Sequence, residues 1–224
     1  MKKTLNLLLP VLLLFGSLCA EAKTVPKETE LAIFAAASMQ ETLTELQPLF
    51  EEQNPGTRLI FCFDSSGTLK TQIQEGALCD VFISAGQKQV DQLDISSDSE
   101  KNPEGLDFIL PGSRRDLLEN RVTLCIPEDS SRISSFDDLA EELRTGSILL
   151  CMGNSDVPVG QYTQKILQYF DLDEEALAGT GCITYASNVK EVTTQVIQGS
   201  VDAGIIYCTD AFSAELTPID YATA

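Results

Sequence analysis

The sequence predicts an α/β fold arranged as two hinged lobes, and three observations carry that prediction. Apolar runs rich in β-branched and aromatic residues alternate with segments of helical period, the order that builds sheets of parallel strands joined by crossover helices. These strands fall into two groups, with the polar stretch Ser96–Gly105 read as a solvated surface loop and Leu110–Arg121 as the crossing between lobes. A leader precedes them: Lys2 and Lys3 are followed by an apolar run from Leu5 to Leu18 and then by small residues.

Taken in order, residues 1–22 read as a secretory signal peptide, with Ala20-Glu21-Ala22 fitting the small-x-small cleavage rule. Cys19 offers the competing reading of a lipid-modified first residue, although Leu18 is bulky where that signal wants a small one. The chain is thus expected outside the cytoplasm, periplasmic or associated with the cell surface. Strands are expected at Leu31–Ala35, Arg58–Phe63 and Asp80–Ser84 in the first group. The second group is Arg121–Ile126, Ser147–Met152, Cys182–Tyr185 and Ala203–Cys208. Helical patterns lie between them at Met39–Gln53, Gly67–Gln74, Gln87–Leu93, Ser135–Glu142, Val159–Phe170 and Val189–Gln198. The lobes predicted from this order are 27–111 with the tail 208–224, and 112–207. Ligands of open α/β sheets sit outside the carboxyl ends of strands, which places a binding cleft between the lobes.

Composition excludes several classes. The formal charge is −19 with no histidine, so nucleic acid and anionic membrane surfaces are poor partners. Without histidine and without any C-x-x-C, zinc or redox chemistry is not expected, and neither a cofactor nor a metal site is assigned. The six cysteines beyond the leader, Cys62, Cys79, Cys125, Cys151, Cys182 and Cys208, are read either as disulfide partners of undetermined pairing or as small buried hydrophobes.

Four strand-to-helix junctions share small or hydroxyl residues where a helix begins. Ser38 follows three alanines and opens Ser-x-x-Glu, the pattern of a capping box. Ser66 lies in Asp64-Ser65-Ser66-Gly67, where Asp64 is expected to point away or to cap the helix at Gly67. Pro158 suits a first helical turn, which frees the amide of Val159, and Asn188-x-x-Glu191 reads as a cap before Val189. Tyr207 ends the last strand with a phenol. Free amides at helix starts, backed by a dipole of roughly half a charge, bind anions without a contacting Arg or Lys.

AAASM at Ala35–Met39 and DSSGTLKTQIQEGALCDVFISAGQKQVDQL at Asp64–Leu93, with VPVGQY at Val157–Tyr162, ASNVKEV at Ala186–Val192 and DAGIIYCTDA at Asp202–Ala211, carry a resemblance. Together they resemble the periplasmic molybdate-binding subunits of ABC transporters, the ModA family, from about Leu31 to about Ala211. The resemblance implies a type II periplasmic binding protein: two mixed sheets flanked by helices, with molybdate or tungstate in the interlobe cleft. It further implies that Ser38, Ser66, the amides of Val159 and Val189, and Tyr207 hold the oxyanion. An ABC permease is the implied partner of what is expected to be a monomer. The family's chain continues beyond the final crossing with a further strand and helices, whereas this sequence ends at Ala224, so the first lobe is expected to be short of elements.

Three rivals remain at this stage. Sulfate is an oxyanion of similar chemistry but smaller size. A secreted serine hydrolase would need a lysine such as Lys70 as base, since histidine is absent, and no catalytic residue is assigned. An organic ligand such as an amino acid would want an Arg and Asp clamp that the sequence does not show.

Overall fold

The strands form where the alternation of apolar runs puts them. A computed structural model describes residues 28–222, so the signal-peptide reading of residues 1–22 and the lipid reading of Cys19 lie outside the described residues. The first sheet contains β1 (Thr29–Ala36), β2 (Thr57–Asp64) and β3 (Val81–Ile83) in the order β2-β1-β3, all parallel. The second contains β4 (Val122–Cys125), β5 (Leu150–Gly153), β6 (Ile183–Ala186), β7 (Ala203–Tyr207) and β8 (Asp220–Tyr221) in the order β6-β5-β7-β4-β8. Of the two sheets expected to be mixed, the second combines both directions, with β4 antiparallel to β7 and β8. The described strands of the first all run one way.

Around the first sheet lie α1 (Gln40–Gln53), α2 (Ser66–Gln74) and α3 (Gln87–Asp91), and its core is small: Phe34, Leu69, Ile73 and Leu93. Helix α1 has no buried residue. It is stitched to the edge strand instead, where Gln47 Nε2 donates to the Leu59 carbonyl at 3.0 Å and Glu51 Oε1 accepts from Leu59 N at 2.9 Å. These contacts satisfy backbone groups that an open edge would leave bare.

The second sheet is flanked by α4 (Phe136–Thr145), α5 (Pro158–Tyr169), α6 (Glu174–Gly179) and α7 (Val189–Ile197), and its core includes fully buried Leu124, Leu150, Met152, Val192, Ile205 and Ile206. Helix α4 starts on Ser135, whose Oγ accepts from Asp138 N at 3.1 Å, and stops at Gly146 in the left-handed region at φ 69°. Glycine also lets α7 settle onto β7: a Cβ on Gly204 would lie 2.5 Å from Val196 Cγ2.

The tail departs from the sequence reading. Residues 208–224 do not return to the first sheet over their described length. Instead α8 (Cys208–Ser213) packs beside α7 and β4, and β8 pairs with β4, Tyr221 opposite Thr123. Ile219 N donates to Leu124 O at 2.9 Å and Ala222 N to Val122 O at 3.0 Å. The free edge of β4 offers unpaired amides and carbonyls only a short loop away, and the tail satisfies them there. Helices α6 and α8 and strand β8 are absent from the sequence reading because each is too short to show a period. All six described cysteines are free, and Cys125, Cys151 and Cys182 serve as buried core residues. Among the described residues no helix is long and apolar enough to cross a membrane.

Candidate functional site

The carboxyl ends of β1, β2, β5, β6 and β7 each deliver one of the five nominated residues. After β1 the chain makes a single 3-10 turn, Ala37–Met39, that no side chain caps, and Ser38 is buried in it. The expected Ser38-x-x-Glu41 capping box does not form. The Glu41 carboxylate lies 2.7 Å from Lys190 Nζ instead, which leaves the turn amides and the Ser38 hydroxyl free of it.

After β2, Ser65 rather than Asp64 caps α2: its Oγ accepts from Thr68 N at 3.1 Å, while Asp64 Oδ1 accepts from Ser65 N at 2.6 Å. Asp64 therefore does not cap the helix at Gly67, one of the two placements expected for it, because the serine hydroxyl takes the first turn. Ser66 is fully buried and its Oγ accepts from Ala85 N at 2.9 Å. That bond uses a lone pair, so the Ser66 O–H proton remains available for another acceptor.

Helix α5 opens with Pro158 in its first turn on an N-cap, Val157, that provides no side-chain bond. The first backbone bond back into the turn is Gln161 N to Val157 O, so the amides of Val159 and Gly160 precede it and stay uncapped. Gly160 is pressed onto the carbonyls of Gly153 and Asn154, where a side chain would not fit. At α7, Asn188 Oδ1 accepts from Glu191 N at 3.1 Å, as expected. The reciprocal arm reaches one residue further back than a standard box, since the Glu191 carboxylate accepts from Ser187 N at 2.7 Å and Ser187 Oγ at 2.8 Å. Neither bond engages the Val189 amide.

Tyr207 is 4% exposed at the end of β7, and its hydroxyl has no hydrogen-bond partner among the described residues. Its ring meets Tyr162 of α5 edge-on with centroids 6.4 Å apart. Burial, then the neighbouring Tyr162 and Asp210, push the phenol well above the ordinary tyrosine range, so it stays a neutral O–H donor at any physiological pH.

The junctions meet at one seam. Ala37 shares a single apolar cluster with Val159, Ala186, Val189 and Tyr207, and Ala85, the partner of Ser66, packs against it. The start of α2 touches the loop before α5, where a Cβ on Gly67 would fall onto the Asp156 carbonyl. A Cβ on Gly86 would lie 3.2 Å from Pro158. All five nominated residues therefore lie on elements drawn to the same seam. Three residues at the seam escaped the sequence reading as a group. Lys190 Nζ joins Glu41 at 2.7 Å and Asp210 Oδ1 at 2.9 Å, and only the fold brings these distant positions together. Tyr162 ends VPVGQY, but nothing local signals its contact with Tyr207.

A two-lobed α/β body whose strand ends gather several helix starts along the seam of its lobes, those of the 3-10 turn and α5 without side-chain caps, is the architecture of a periplasmic binding protein. Residues 31–223 match the family described as bacterial extracellular solute-binding protein, and the chain belongs to that family. It is 31% identical over 201 residues to a Bacillus subtilis protein named as an ABC transporter substrate-binding lipoprotein, YvgL, across 88% of this chain and 70% of the relative. It is 30% identical over 185 residues to the molybdate-binding protein ModA of Mycobacterium tuberculosis, across 82% of this chain and 62% of the relative. The chain thus spans under two thirds of the length of that second relative. The periplasmic molybdate-binding protein of Azotobacter vinelandii shares the fold, with a TM-score of 0.67 at 23% identity over 87% of this chain and 79% of the other. These relatives bear out the resemblance read from the motifs.

Proposed function

We propose that this protein captures molybdate or tungstate outside the cytoplasm and delivers it to an ABC permease. Its lobes, about 27–111 and 112–222, close on the ion, and it acts as a monomer. The donors are Ser38 Oγ, Ser66 Oγ, the amides of Val159 and Val189, and the Tyr207 hydroxyl. The observation that carries the reading is Tyr207: a buried residue whose phenol hydroxyl has no partner of its own among the described residues, its ring packed edge-on against Tyr162 of α5. A buried unpaired hydroxyl costs about 1–3 kcal/mol, a cost that an acceptor arriving at that place removes.

The chemistry selects a fully deprotonated oxyanion. Every nominated group is an uncharged donor, and each ligand oxygen that it meets must accept. A protonated oxyanion such as hydrogen phosphate would set its own O–H against one of these donors, which is unfavourable. Taking a dianion out of water is costly unless donors replace its shell, and the helix starts do so without bringing a counter-ion.

Calorimetric titration with molybdate, tungstate, sulfate and phosphate tests this directly. Molybdate and tungstate are expected to bind tightly, sulfate weakly and phosphate not at all. Tight phosphate binding with no response to molybdate would overturn the assignment. Ser38→Ala and Ser66→Ala are each expected to weaken binding by about 1–3 kcal/mol, the usual loss for a hydrogen bond to a charged group. Unchanged affinity in both would remove these serines from the site.

A further inference from the structure

We propose that Lys190 and Glu41 form a clasp across the cleft that slows ligand release without touching the ligand. Glu41 lies in the first turn of α1, beside the first sheet, whereas Lys190 lies in the first turn of α7, on the second. The 2.7 Å ion pair between them therefore joins the two lobes. It sits at the seam itself, three residues beyond Ser38 on one side and one beyond Val189 on the other.

A surface ion pair ordinarily contributes little, because two long side chains must be held in one geometry. Here one of them is already held. Asp210 is 0% exposed, and its carboxylate has no aligned hydrogen bond among the described residues apart from the ion pair, 2.9 Å, that Lys190 makes to its Oδ1. A buried carboxylate needs a counter-charge, so the lysine is anchored from behind whether or not Glu41 is near. Burial works against the charged ammonium, but its bonds and charge contacts with Glu41 and Asp210 outweigh that and hold its pKa above the ordinary lysine range. Glu41 thus meets a positioned cation when the lobes come together and loses contact with it when they part.

The cluster holds two carboxylates and one ammonium, so it does not attract an anion. Lys190 and Glu41 are positioning residues, and their effect belongs to dissociation. Loss of a charge that steers an approaching anion would alter the association rate, while loss of a contact formed on closure alters the dissociation rate.

The location of the cleft rests on the proposed function, but the clasp does not depend on which ion occupies it. The test uses the full exported chain, Glu41→Gln, and the pair Lys190→Met with Asp210→Asn, which removes the lysine without stranding a buried charge. Rapid-mixing kinetics with molybdate as probe are expected to show dissociation about three- to tenfold faster in both variants, with association within twofold of the parent. Raising salt should speed dissociation from the parent but not from Glu41→Gln. A parent dissociation rate retained by Glu41→Gln would overturn the clasp. If the parent binds no molybdate, the ligand assignment falls, and small-angle scattering decides the clasp: a larger radius of gyration for Glu41→Gln supports it, and an equal radius overturns it.

Discussion

The two lobes differ in what holds them together. Around the second sheet, α4, α5 and α7 bury their apolar stripes against β4, β5 and β7, and large side chains such as Leu150, Ile205 and Ile206 are wholly removed from water. Around the first, four residues form the core, and α1 leaves Leu46, Leu49 and Phe50 between 40% and 53% exposed while it leans on the edge strand through Gln47 and Glu51. The difference teaches where each property resides. The second lobe is the more deeply packed carrier of three nominated donors, and the first contributes two serines on a lighter frame.

The sharpest way to break this comparison is to cut into the second core. Ile206→Ala, at the centre of the second lobe, is expected to cost about 2–5 kcal/mol in chemical denaturation, because a cavity remains that its neighbours cannot fill. A loss below about 1 kcal/mol would show that this lobe is packed no better than the first.

Tyr207→Phe comes next in size and separates binding from folding. Affinity for molybdate is expected to fall by about 1.5–3 kcal/mol, since a donor to a charged group is lost. Stability of the ligand-free protein should hold or rise, because the hydroxyl has no partner to lose. A destabilised Tyr207→Phe that binds normally would place that hydroxyl in the scaffold rather than in the site.

Asp210→Asn sharpens the comparison in a titration. Burial, opposed by the charge and bond of Lys190, raises the carboxyl above its ordinary value, so the folded chain gives up that proton less readily than the unfolded one. Such a group stabilises fully below its unfolded pKa and loses that contribution as pH rises through its folded pKa. The stability of the parent relative to Asp210→Asn is therefore expected to fall as pH climbs from the carboxylate range toward neutrality. A flat difference across that window would mean that Lys190 neutralises the charge completely.

The smallest effect belongs to the lighter lobe. Leu49→Ala, on the uncovered face of α1 with Leu49 53% exposed, is expected to change stability by less than about 0.5 kcal/mol. A larger loss would show that this face is covered in solution.

Much of the proposed site was legible because its nominated donors are tied to local rules. Ser38, Ser66, Val159 and Val189 each follow a strand end, and the small residues, the proline and the asparagine that start those helices are visible in the chain. Every strand of the first seven was marked by its apolar run. Short elements were not: α6, α8 and β8 have too few residues for a period to register. The role of Glu41 was misread for a related reason. Its spacing from Ser38 satisfies a capping rule, yet a cation from a helix about 150 residues away takes the carboxylate, and no local pattern encodes that competition. Ser65 and Asp64 compete likewise for one helix start, and the outcome depends on reach rather than on residue type.

Gly67 gives the contact between the lobes an unusual sensitivity. At that point α2 meets the Asp156 carbonyl main chain to main chain, so no side chain sets the spacing and nothing can swing aside. Under the proposed closure, a methyl group added there would act as a doorstop, sparing the parted arrangement and penalising the shut one. Position 67 is accordingly a place where the proposed balance between capture and release would be retuned by one carbon atom, with every proposed donor left in its place.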